Sequence, residues 1–111
     1  MGIISRICNR EGVSVYELNE EMAEILKLKC SEHNGAAVTF NGEKMIFIGE
    51  TGGINEDRLI ALHELAHHLF GHLDSEWKPF HEEEARLFAA VFLALILFEE
   101  NREEEARRDE G

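Results

Sequence analysis

The chain has 111 residues, 44% of them hydrophobic and 31% charged, with a single proline. That composition is enough for one domain with one core, and it excludes a wholly disordered chain or a fibrous repeat. Eleven Lys and Arg against 23 Asp and Glu give a formal net charge of −12, so binding of nucleic acid through a basic face, or of an anionic membrane surface, is not expected.

Residues 1–15 read as irregular or briefly helical, with Gly12 as a break. The first clear helix is predicted over residues 16–30, where Leu18, Met22, Ile25, Leu26 and Cys30 recur at helical spacing. A hairpin follows. Residues 36–40 and 43–48 are rich in strand formers and flank Asn41-Gly42, the strongest short-range signal for a two-residue turn. Residues 49–53 read as a flexible connection. A second helix is predicted over residues 55–71, with Asn55 as N-cap, Glu56 and Asp57 favoured by the helix dipole, and Gly71 as the stop. Pro79 breaks the chain before a third helix, which starts near Glu82 and runs past Phe98 toward Arg107. Its apolar run, residues 87–98, reads as core, with a dimerisation face as the alternative. Residues 99–111 carry seven acids and three Arg and read as a solvated, fraying end of a single domain spanning residues 1–111. Three helices and a hairpin make an α+β chain.

Two cysteines, Cys8 and Cys30, are too few for a disulfide framework and read as free thiols. The N-terminus lacks a secretory pattern, and the twelve-residue apolar run is short of the ~20 a membrane span needs. A soluble cytoplasmic protein is the expectation.

The chemistry concentrates at His63-Glu64-Leu65-Ala66-His67. Residues four apart on a helix share a face, with Cβ atoms about 5–6 Å apart. Two imidazoles so placed both reach one metal ion, and neutral imidazole suits Zn²⁺. Glu64 lies about 100° round the helix, beside the ion, where a carboxylate can take a proton from a water that the ion has acidified. A third ligand is needed. A histidine three residues beyond a glycine is disfavoured, because Phe70 and Leu73 stand at the required places and Gly71-His72 is one residue out of step. The remaining source is the acidic triplet Glu82, Glu83 and Glu84, at the start of the third helix, one of which is expected to point at the metal.

The stretch from Ile60 to His72, followed by Glu82-Glu-Glu-Ala-Arg-Leu-Phe-Ala-Ala90, resembles the ImmA/IrrE family of zinc metallopeptidases. That family pairs a HExxH helix with a downstream E-x-x-A-(N/D)-x-F-A-A helix behind a small β-hairpin. The resemblance covers roughly residues 36–90. It implies a minimal zincin-like α+β domain of three main helices packed with a small antiparallel hairpin. It implies His63, His67 and Glu82 as zinc ligands and Glu64 as the catalytic base of a metalloendopeptidase. The implied partner is a protein substrate, such as a repressor of a phage or mobile element. In such peptidases an exposed strand edge pairs with the extended substrate, and residues 44–48 are the candidate. Two features depart from the pattern. Arg86 replaces the usual Asn or Asp, removing a group that would orient a ligand. A run of Val-Phe-Leu-Ala-Leu-Ile-Leu replaces the usual E-L-L-M-P after the alanines.

The competing readings are a catalytically inactive zinc-binding interaction module, with Arg86 as the mark of lost activity, and a regulator in which zinc is only structural. Such a site also accepts Co or Mn. His68 and His72 read as surface or packing residues. His33 and His81 read as loop histidines, His81 being also a candidate oxyanion donor. Trp77 reads as a packing lid.

Overall fold

The computed structural model describes residues 2–25, 34–49, 51–74 and 76–110. The order of elements is α1 (Gly2–Glu11), β1 (Val13–Glu17), α2 (Glu20–Ile25), β2 (Gly35–Phe40), β3 (Glu43–Ile48), α3 (Ile54–Leu69), a 3₁₀ turn (His72–Asp74) and α4 (Pro79–Glu110). The fold is α+β, a small zincin-like domain with a three-stranded sheet in the order β1-β3-β2.

The hairpin forms where its turn chemistry requires. Asn41 and Gly42 both hold positive φ, 52° and 79°, as the two central residues of a type I′ turn must. β2 and β3 pair antiparallel from Gly35↔Ile48 to Phe40↔Glu43. The third strand was not expected. Residues 13–17 belong to β1, which pairs parallel with β3 from Val13↔Lys44 to Glu17↔Ile48, so no helix begins at Tyr16. Tyr16 instead stacks on Phe47, with ring centroids 5.4 Å apart, and its hydroxyl donates to Glu43 Oε1 at 3.2 Å. The helix begins after Asn19, whose Oδ1 accepts from Met22 N at 2.8 Å, a side-chain N-cap. The rest of the expected first helix, with Cys30, lies outside the described residues, as does His33. Residues 2–11 form a full helix, closed at Gly12 with φ +70°.

Successive residues of β3 face opposite ways. Ile46 and Ile48 enter the main core with Ile4 and Cys8 of α1, Val13 of β1, Ala61, Leu62 and Leu65 of α3, and Ala89 and Ile96 of α4. Phe47 turns to the other face, where Leu18 and Ala23 cover it. The sheet therefore has α3 on one side and α2 on the other.

α3 starts one residue before the expected point. Its N-cap is Gly53, which offers no side-chain bond. Asn55 sits inside the first turn and accepts from Arg58. Asp57 performs a related task, accepting from Thr51 N and Thr51 Oγ1, both at 2.9 Å, and so fastening the incoming loop to the first turn. Gly71, φ +69°, ends α3 as expected.

Pro79 is the first residue of α4, where its missing N–H costs nothing. The helix runs unbroken through the charged segment, and Arg58 clasps Glu100 with two bonds of 2.9 Å. The apolar run is core on one side only. Ala89 and Ile96 are buried, whereas Leu87, Val91, Leu95 and Phe98 are exposed. Trp77, read from the sequence as a packing lid, is largely exposed. No helix among the described residues is long and apolar enough to cross a membrane.

Candidate metal centre

α3 presents His63 and His67 on one face, one turn apart, with ring centroids 5.0 Å apart. The start of α4 crosses that face and brings in Glu82. Its carboxylate spans both rings. Oε2 lies 3.0 Å from His63 Nε2 and Oε1 lies 3.2 Å from His67 Nε2. One donor atom from each of the three residues falls within 4.8 Å of the others. The acidic triplet divides, because successive helix residues point about 100° apart. Glu82 meets the histidine pair, Glu84 turns to His72, and Glu83 is exposed.

Two imidazole nitrogens and one carboxylate oxygen make a donor set that suits a divalent cation such as zinc. The ionisation of His67 suits it too. Burial holds His67 below the usual imidazole range, against the opposing pull of the Glu82 charge and with the help of neighbouring His63. A neutral ring with a free lone pair is the form that binds metal.

Glu64 is 8% exposed, on the next face of α3. Burial first, and the nearby Glu82 charge second, raise its carboxyl from 4.5 to about 7. It lines a cleft of about 540 Å³ together with Asn34, Gly35, Leu59, Ile60, His63, Glu82 and Arg86. Gly35 is there because nothing larger fits. A Cβ at that position would come within 2.6 Å of Ile60 Cγ2 and 3.0 Å of Glu64 Cγ. The absence of a side chain lets the start of β2 lie against Glu64.

The sheet order changes which strand can receive a peptide. Residues 44–48 lie in the central strand, hydrogen-bonded on both sides, so they cannot accept another strand. Among the described residues, the edge beside the cleft that pairs with no other strand is that of β2, whose first residue, Gly35, lines it.

The other histidines pack around the centre. His68 is a packing residue, one of the two expected alternatives: it is buried, with Nε2 2.8 Å from the Met45 carbonyl, and so pins α3 to β3. His81 is not in a loop but in the first turn of α4, buried and stacked on His72 at 4.1 Å. It stands apart from the residues that line the cleft. His72 was read as a surface or packing residue. It is buried, with Nδ1 3.0 Å from His67 Nδ1 and Nε2 3.0 Å from Glu84 Oε1. The signal for this placement was Gly71. Its left-handed conformation turns the chain back, so a helical projection cannot be carried on to residue 72.

A mixed sheet backed by a His-Glu-Leu-Ala-His helix, with a carboxylate arriving from the following helix, defines a metallopeptidase-like domain. The chain belongs to the peptidase M78 family, whose IrrE N-terminal-like domain matches residues 9–108. No curated protein and no solved structure matches it.

Proposed function

We propose that the protein is a zinc-dependent endopeptidase, with His63, His67 and Glu82 as metal ligands and Glu64 as the general base. The observation that carries this reading is the meeting of two Nε2 atoms on one carboxylate, with a second, buried carboxylate beside them in an open cleft. When bound, zinc supplies Lewis acidity at neutral pH. The chain supplies the rest. The free edge of β2 holds an extended peptide by main-chain hydrogen bonds, so that its scissile bond enters the cleft. Glu64, buried beside the ligands, takes a proton from the attacking water and returns it to the leaving amine nitrogen. The substrate is a protein, and a phage or mobile-element repressor fits the resemblance. The site of action is the cytoplasm.

Arg86 favours a second reading. It projects into the cleft where the family carries Asn or Asp, so an inactive zinc-binding module is the competitor. Metal analysis and cleavage of a protein substrate by wild type and Glu64→Gln test both. Stoichiometric zinc in both proteins with cleavage by wild type alone supports the peptidase. Zinc in both with cleavage by neither supports the module. Cleavage that persists in Glu64→Gln refutes the assigned base.

A further inference from the structure

His67 has two nitrogens and both are engaged. Nε2 faces Glu82 and His63, and Nδ1 faces His72 Nδ1 at 3.0 Å. If Nε2 gives its lone pair to a metal, the ring proton must sit on Nδ1. That proton then has one place to go, the His72 Nδ1 lone pair. His72 must in turn carry its own proton on Nε2, which donates to Glu84 Oε1 at 3.0 Å. A single arrangement of protons satisfies the three side chains. We propose that Glu84 and His72 form a relay of positioning residues that locks the metal-binding tautomer of His67, an inference that rests on the metal site proposed above.

The general logic is that of a ligand histidine whose outer nitrogen is held by a carboxylate, which orients the ring and raises its basicity. Here a second imidazole is interposed. Burial of His67 and His72 keeps water from substituting for the contact between them, while Glu84, half exposed, closes the outer end. The relay also answers the departure at Arg86. Orientation of a ligand comes from Glu84, two residues earlier on the same helix, through His72.

His72, His81 and Glu84 also bring three potential donor atoms within 4.8 Å of one another, but their geometry suits the relay better than a second metal. The His72 and His81 rings are nearly parallel, 15° apart with centroids 4.1 Å apart. Their lone pairs lie in separate parallel planes that do not meet at one ion. His81 Nδ1 already accepts from Lys78 N at 3.2 Å. The stacked ring serves as a wall that keeps His72 in place.

The test is Zn²⁺ affinity by competition with a chelator, for wild type, His72→Phe, Glu84→Ala, Glu84→Gln, the double variant His72→Phe/Glu84→Ala, and His67→Ala. Phenylalanine keeps the stack on His81 and removes both nitrogens. The relay predicts losses of about 10–100-fold in His72→Phe and Glu84→Ala. It predicts a smaller loss in Glu84→Gln, which keeps an acceptor without the charge. The double variant is no worse than His72→Phe alone, because the two residues act in series. Nitrogen NMR of the zinc-loaded wild type should show the His67 proton on Nδ1. Should His72→Phe not fold, Glu84→Gln and the NMR signature carry the test. Wild-type affinity in both His72→Phe and Glu84→Ala, additive losses, or a His67 proton on Nε2 overturns the relay. So does a second zinc per chain that is lost in His81→Ala. An unchanged affinity in His67→Ala would instead refute the metal site itself.

Discussion

Glu64, the proposed base, is buried at the expense of stability, and Glu64→Gln should reveal by how much. In the metal-free fold its carboxyl is raised from 4.5 to about 7, by burial and then by Glu82. Between those pH values the folded protein keeps a proton that the unfolded chain has already released. Its contribution therefore falls as pH rises from 4.5 to 7 and is constant above. At about 1.4 kcal/mol per pH unit, the full penalty at pH 8 is on the order of 3 kcal/mol. Glutamine has nearly the same shape and no charge to lose. The variant should match wild type at pH 4 and exceed it by up to about 3 kcal/mol at pH 8. The assay is urea unfolding of both proteins in excess chelator, read as a shift in midpoint at constant slope. His67 titrates in both proteins and cancels in the difference. A gap that is the same at pH 4 and pH 8, or that stays below about 1 kcal/mol at pH 8, would refute the burial argument.

Other substitutions probe how the site is assembled. Glu82→Gln should abolish stoichiometric zinc binding whereas Glu83→Gln should leave it intact, as measured by metal analysis of the purified variants. Gly35→Val forces a side chain into Ile60 and Glu64, and should cost about 1–3 kcal/mol in denaturation while lowering activity through displacement of the β2 edge. Gly42→Ala meets no neighbour, so its cost, about 1 kcal/mol in the same assay, is that of a Cβ at positive φ.

The parts of the fold legible in the sequence are those whose causes are local. Asn41-Gly42 announces its turn because the required dihedrals are intrinsic to those two residues. The pairing of His63 with His67 was legible because four-residue spacing is local geometry, and the acidic helix start narrowed the approaching carboxylate to Glu82, Glu83 and Glu84. Only the family resemblance singled out Glu82, and the phase of α4 in the structure is what separates the three. β1 was hidden because its partner lies about thirty residues away. Val13 and Val15 alternate like a strand, but Tyr16, Leu18 and Met22 also fit a helix, and only the parallel pairing with β3 decides between them. The same pairing takes the edge of β3 and moves the proposed peptide-binding edge to β2. His72 escaped because its position depends on a reversal at Gly71 and not on helix phase. The exposure of Leu87, Val91 and Leu95 escaped because an apolar run does not state how many neighbours will pack around it. α4 meets α3 and the main core along one side only.

The same residues tie metal binding to folding. A small domain has only a few kcal/mol of net stability, and this one buries Glu64, His67, His68, His72 and His81. A divalent cation between His63, His67 and Glu82 changes the balance in two ways. It is bound by the folded chain alone, which stabilises by about 2.7 kcal/mol at a free concentration one hundred times the dissociation constant. Its charge also favours the ionised form of Glu64, removing the penalty present at high pH. The first contribution needs neutral imidazoles and so weakens in acid, and the second has nothing to relieve below pH 4.5. Both run in one direction, so the rise in unfolding midpoint on adding Zn²⁺ should be larger at pH 8 than at pH 5.5. Glu64→Gln should retain the first part and lose the second. A zinc-induced shift that does not change with pH, or one of equal size in His67→Ala, would sever stability from the proposed ligands.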